Sequence, residues 1–194
     1  MVTAYHGSGR VFGKFLLNKL GEGDGRSVGG YGIYFSKIKE VAMQHVTKGG
    51  ALYQCDVYED GWWLDLDKDI DPETASDIAK QLVRRKLAGE EDVFEFRYEY
   101  TNPDKPVTGE QVYKYLSIIL GSEKNTSSLL RAMGCDSNTF LDRGTMINVA
   151  ATTPHPELLE DGKGRNYVLF DEDNLVIKHM YKYDELQGGT AYVD

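Results

Sequence analysis

From residue 21 to residue 30 the chain reads Gly-Glu-Gly-Asp-Gly-Arg-Ser-Val-Gly-Gly, five glycines in ten positions. Glycine loses more conformational freedom on folding than any other residue, so such a density belongs to neither a helix nor a strand interior. It marks a loop whose backbone needs positive φ or lets something approach closely. The elements on either side must then be short. Before the loop, Val2 to His6 reads as a strand that runs into Tyr5-His6-Gly7-Ser8. After it, Gly30-Tyr31-Gly32-Ile33-Tyr34-Phe35-Ser36 contains a second strand, Gly32 to Ser36. Side chains alternate along a strand, so one of Tyr34 and Phe35 packs while the other lines a cavity.

Size and charge bound the rest. A chain of 194 residues suits one domain, 1–194, and 41% hydrophobic residues suffice for a core. The formal net charge of −9 disfavours an ordinary nucleic-acid binder, whose affinity comes from Lys and Arg on phosphates. Cys55 and Cys135 lie far apart without metal-ligand spacing, so no disulfide framework and no metal site are expected. The first residues lack a basic segment followed by an apolar run, and no stretch approaches the roughly 18 apolar residues of a membrane span. The expectation is a soluble, cytoplasmic protein.

Further along, Lys37 to Thr47 has Ile38, Val41, Ala42 and His45 at helical spacing, with Ser36 placed to cap it. Leu52 to Tyr58 alternates as a strand. Asp71-Pro72 starts a helix whose apolar face runs from Ala75 to Leu87. Glu90 to Tyr100 alternates charges with Phe94, Phe96, Tyr98 and Tyr100, which fits an edge strand or a charged helix equally well. Thr108 and Gln111 form a capping-box pattern for a helix to Leu120, and Ser122 to Met133 repeats the scheme before Gly134. Residues 71–134 thus make a helical middle segment. Asn138 to Leu141 is a short strand, and a long loop with Pro154 and Pro156 spans residues 142–165. Tyr167 to Phe170 and Leu175 to Met180 read as a closing strand pair joined by the polar turn 171–174.

A histidine and a tyrosine on neighbouring strands can grip one flat, polar ligand from two directions, and nicotinamide suits that grip. Gly7 can hold a carboxamide on its backbone, and His6 can donate to a ribose hydroxyl. Arg26 can meet a pyrophosphate by bidentate bonds. The pair Trp62-Trp63 reads more simply as a core cap than as a partner patch.

Tyr5-His6-Gly7-Ser8 and Gly30-Tyr31-Gly32-Ile33-Tyr34-Phe35 resemble the first two signature segments of the His-Tyr-Glu branch of ADP-ribosyltransferases, the diphtheria-toxin and poly(ADP-ribose) polymerase branch. The similarity is nearest to the ADP-ribosyltransferase domains of phage and mobile-element polyvalent proteins. It continues at Leu52 to Val57, Trp63 to Asp67, Gly109 to Gly121, Leu129 to Gly134 and Asn166 to Asp171. The resemblance implies an α+β fold with a split, two-sheet β core and an NAD cleft between the sheets. It implies NAD as substrate, with His6 on the adenosine ribose, Gly7 on the nicotinamide amide and Tyr34 stacked on the ring. Ser8, Tyr31 and Gly32 fall in the same cofactor-binding segments. Ala42 stands where the polymerase branch has a serine that bonds the carboxamide, and His45 where it has a second stacking tyrosine. Asn166 stands where the branch has its catalytic glutamate, with Glu160, Asp161 and Asp171 as nearby acidic groups. The implied activity is mono-ADP-ribosylation of a protein acceptor, such as a host protein. The alternatives are a catalytically silent module that binds NAD or ADP-ribose, and transfer to nucleic acid.

Overall fold

The computed structural model describes residues 1–20, 29–58, 61–141 and 164–187 of the chain. Strand β1 is Val2–Ser8, and a single 3-10 turn, Leu17–Lys19, precedes β2, Ile33–Ser36. A short α1, Lys39–Met43, leads to β3, Ala51–Val57, and β4, Trp62–Asp65. Four helices follow: α2 (Pro72–Arg84), α3 (Glu90–Tyr100), α4 (Gly109–Ile119) and α5 (Glu123–Arg131). The chain returns through β5 (Cys135–Leu141), β6 (Arg165–Leu169) and β7 (Leu175–Lys182), and then enters α6 (Tyr183–Gln187). The architecture is α+β, as expected.

Local chemistry explains the helix starts. The Asp71 side chain accepts from the Thr74 amide, with Pro72 in the first turn. Thr108 and Gln111 satisfy each other's backbone at the start of α4. Glu90 to Tyr100 is a helix because Gly89 opens it, three acids sit in its first turn, and Val93 and Phe96 turn inward at helical spacing. The alternation in its sequence arises from aromatics on both faces. Helix α1 is shorter than its periodicity predicts, and His45 lies in the turn after it. The Ser36 hydroxyl does accept from the Ile38 amide at 3.2 Å, one residue ahead of the helix.

Among the described residues seven strands are hydrogen-bonded in the order β4-β5-β6-β2-β1-β3-β7, with only β4 and β5 parallel. Two separate sheets are therefore not what forms. The halves β4-β5-β6-β2 and β1-β3-β7 join through one residue pair, Tyr5 with Ser36. They nevertheless pack as two layers. Strands β6 and β7, expected to pair, lie four positions apart, about 19 Å in a flat sheet. The link from Leu169 to Leu175 reaches about 20 Å only when fully extended, yet it contains a turn at Glu172–Asp173. The sheet must bend at its one-pair joint.

One core lies inside the bend: Ile33, Phe35, Tyr167 and Leu169 from one half meet Ala4, Tyr53, Cys55 and Val57 from the other. Asn174 ties the halves, accepting from the Tyr58 amide after β3 and donating to Asp136 on β5. The second core lies on the opposite face of the first half, where Val168 and Leu64 meet Ile78, Leu82, Leu116 and Leu130 of the helices. Burying each such aliphatic side chain stabilises the fold by about 1.5–3 kcal/mol. Trp62 packs on the helical core and donates to the Met133 carbonyl, while Trp63 meets Tyr167 in the other core. Both tryptophans cap cores, in keeping with the simpler of the two roles that their sequence position allows. Cys55 and Cys135 are buried, one in each core.

Candidate functional site

The single joining pair defines the place where the site residues meet. Beyond Tyr5 and Ser36 the strands β1 and β2 diverge, and the Tyr34 carbonyl is taken by a side chain: His6 Nδ1 lies 2.7 Å from it. A carbonyl only accepts, so Nδ1 carries the proton, and in the neutral ring Nε2 is an acceptor. The Nδ1 proton is therefore engaged with the Tyr34 carbonyl and is not available to a ribose hydroxyl, which leaves Nε2 with a lone pair only. The ring lies among Phe15, Phe35, Phe12 and Tyr53, with centroids 5.0, 5.7, 6.1 and 6.2 Å away. Burial, with a smaller contribution from His45, outweighs the bond to Tyr34 and pushes the imidazole down to about 4. His6 is neutral at pH 7, and part of its surface remains exposed.

Tyr34 lies on the other face. Antiparallel register sets His6 opposite Phe35 and sends both inward. Tyr34 packs beside the helical core, and its hydroxyl donates to the Gly30 carbonyl at 2.7 Å and accepts from the Gly29 amide at 3.0 Å. Imidazole and phenol thus do not converge on one hollow, and the space between the layers is filled by aromatic rings. The expected cleft between sheets is corrected on that ground. A shallow cleft of about 280 Å³ is lined by Phe15, Glu172, Leu175 and Ile177, with neither His6 nor Tyr34 in its wall.

The outer face does gather half of the predicted set. Gly7 shares it with Tyr34, and α1 passes so close that a Cβ on Gly7 would lie 1.8 Å from the Ala42 carbonyl oxygen and 3.1 Å from His45 Cβ. Ala42 is buried and His45 exposed. Asn166 pairs with Ser36, and Ser36 with Tyr5, so Asn166 and Tyr5 stand on that face as well. Tyr5, the first residue of the Tyr5-His6-Gly7-Ser8 segment, is a partly exposed phenol to which the sequence reading assigned no role. Its signal was its position, two residues before Gly7 in the same strand.

Other predicted residues serve the scaffold. At Gly32 a Cβ would meet the Leu169 carbonyl oxygen at 2.4 Å, so packing by itself requires glycine there. The Ser8 hydroxyl accepts from the Arg10 amide, and alternation places Ser8 on the inner side with His6. Tyr31 is held by its backbone: its amide donates to the Tyr113 hydroxyl at 3.0 Å, and Ser127 donates to its carbonyl at 2.7 Å. Asn138 donates to the Gly29 carbonyl at 2.7 Å. Tyr113, Ser127 and Asn138 therefore anchor the end of the glycine-rich segment to the helices and β5. Burial pushes the Tyr113 phenol up to about 12, which keeps it protonated. Gly30, at φ +106°, completes this anchor. The sign in the sequence was polar side chains at apolar-face positions of α4, α5 and β5.

Asp171 sits at the far end of β6 from Asn166 and pairs with Arg131, so it does not stand in for a glutamate at position 166. Next to Asn166, Arg165 pairs with Asp65 at 2.5 Å and donates to Thr139 at 2.9 Å. Arg26, Glu160, Asp161 and most of the 142–165 loop lie outside the described residues. No group of three metal-ligating side chains occurs among the described residues, and none of their helices is long and apolar enough to cross a membrane.

Comparison with protein-family models, with curated proteins and with solved structures gives no match to this chain.

Proposed function

We propose that this chain is a mono-ADP-ribosyltransferase that uses NAD as substrate and transfers ADP-ribose to a protein. One observation carries the reading: Gly7, Tyr34, His45 and Asn166 come from three strands and a helix end to one face, at the one place where the sheet's ladder opens. Strand alternation aims the N–H and C=O of Gly7 at the same gap as the Tyr34 carbonyl, where β2 has moved away. A carboxamide accepts from one and donates to the other. Tyr34 and His45 then offer flat surfaces to the nicotinamide ring, while His6, on the inner face, holds the Tyr34 carbonyl in place through Nδ1.

Breaking the nicotinamide–ribose bond releases neutral nicotinamide and leaves a cationic ribose, which the acceptor's nucleophile attacks from the opposite face. A carboxylate beside the ribose stabilises that cation; the amide of Asn166 orients a hydroxyl without adding charge. The chemistry is accordingly a single slow transfer rather than chain elongation. The same asparagine favours a second reading, a silent module that binds NAD or ADP-ribose and acts by interaction.

Labelled NAD and a cell lysate separate these readings. Label on protein is the expected result. Saturable NAD binding without product supports the silent module, and label on nucleic acid would redirect the acceptor. Asn166→Glu is the sharper probe: NAD hydrolysis rises if position 166 faces the ribose. Flat activity in both forms removes the mechanism.

A further inference from the structure

The helical layer carries two surfaces outside the candidate site, and they complement each other. The outward stripe of α3 is Glu91, Phe94, Glu95 and Tyr98, all exposed. Phe94 and Tyr98 keep 73% and 71% of their surface in solvent, one helical turn apart. Each ring has roughly 150–250 Å² to bury, so two adjacent ones in water are a standing drive for association. The other surface is a cleft of about 370 Å³ where the ends of α2 and α4 meet the side of α5, floored by Leu87, Leu120 and Leu129 and edged by Arg85. Arg84, Arg85 and Lys86 are all exposed at its α2 side.

We propose that these surfaces form a self-complementary interface, in which α3 of one copy seats Phe94 and Tyr98 in the leucine-floored cleft of a second copy. Glu91 and Glu95 then face Arg85 and its neighbours. Charge selects the occupant. At a formal net charge of −9 the copies repel in general, and the Arg84–Lys86 run is a cationic exception that meets the acidic rim of α3. A foreign basic segment covers α3 and leaves the cleft bare, whereas a second copy covers both. Because both surfaces belong to one layer of helices, two copies can exchange them reciprocally, as a two-fold dimer requires.

Sedimentation equilibrium on the full chain tests this. The wild type dimerises, and the double variant Phe94→Ser/Tyr98→Ser weakens association by about ten-fold or more, as loss of aromatic anchors does. Arg85→Glu and Glu91→Arg each weaken it comparably, and the combined variant Arg85→Glu/Glu91→Arg restores it to within about three-fold, because the pair is reversed and not lost. All four side chains are exposed, so the variants stay folded; the charge changes at the ends of α2 and α3 lower the melt slightly through the helix dipole, which thermal melts of each variant read separately from association. A chain that stays monomeric at millimolar concentration overturns the proposal. So does association that ignores the Phe94/Tyr98 change, or a combined variant that fails to recover.

Discussion

At the scale of single residues, His6 couples the joint of the sheet to pH. Its folded-state value near 4 lies below the ordinary 6.5, so between those values the unfolded chain binds more protons and stability falls as pH is lowered. Above 6.5 both states are neutral and the contribution is fully present; below 4 it is lost. The shift corresponds to about 3 kcal/mol at most. A His6→Gln variant should lose this part of the slope, which denaturant midpoints measured from pH 7 to pH 4 against wild type will show. Gly7→Ala forces a methyl group into the Ala42 carbonyl and should cost roughly 1–3 kcal/mol as overpacking. Thermal melts read that cost, and NAD binding by the same variant reads the site. At this scale the sequence was only half legible. The glycines at 7, 30 and 32 announced tight backbone, but which neighbour crowds each depends on contacts with residues 42, 113 and 169, far away in the chain.

At the scale of elements, capping chemistry was the most reliable guide, because it is written in three or four adjacent residues. Asp71→Ala should lower stability by about 1 kcal/mol through loss of its bond to the Thr74 amide. Thr108→Ala should act similarly at α4, and urea titrations of both will measure it. Elements defined by periodicity alone were less secure. Phe94 and Tyr98 disguised α3 as a possible strand, since exposed aromatics break the apolar stripe that marks a helix. The pairing of β6 with β7 was misjudged for another reason. A short polar turn usually joins neighbouring strands, but here it bridges two layers of a folded sheet, and no local residue records that difference.

At the scale of the molecule, the two layers are held by the shared aromatic core, by the Tyr5–Ser36 pair and by the return through Asn174. Asn174→Ala removes the side-chain bond to Asp136 and should lower the unfolding free energy by about 1 kcal/mol, as loss of one hydrogen bond does. The denaturant midpoint should fall with an unchanged slope, which distinguishes weakened docking from a change in exposed surface. The class of fold was legible from the order of strand-like and helix-like segments. The bend was not, because it follows from the length of a connection measured against strand spacing.

That bend gives the molecule something like the spine of a book. Tyr5 and Gly7 are printed on the outside of one leaf, Tyr34 and Asn166 on the outside of the other, and the backbone thread between them runs at Ser36. Whatever eases or tightens the spine alters the spacing of the groups proposed to meet a ligand, even when none of those groups has been touched.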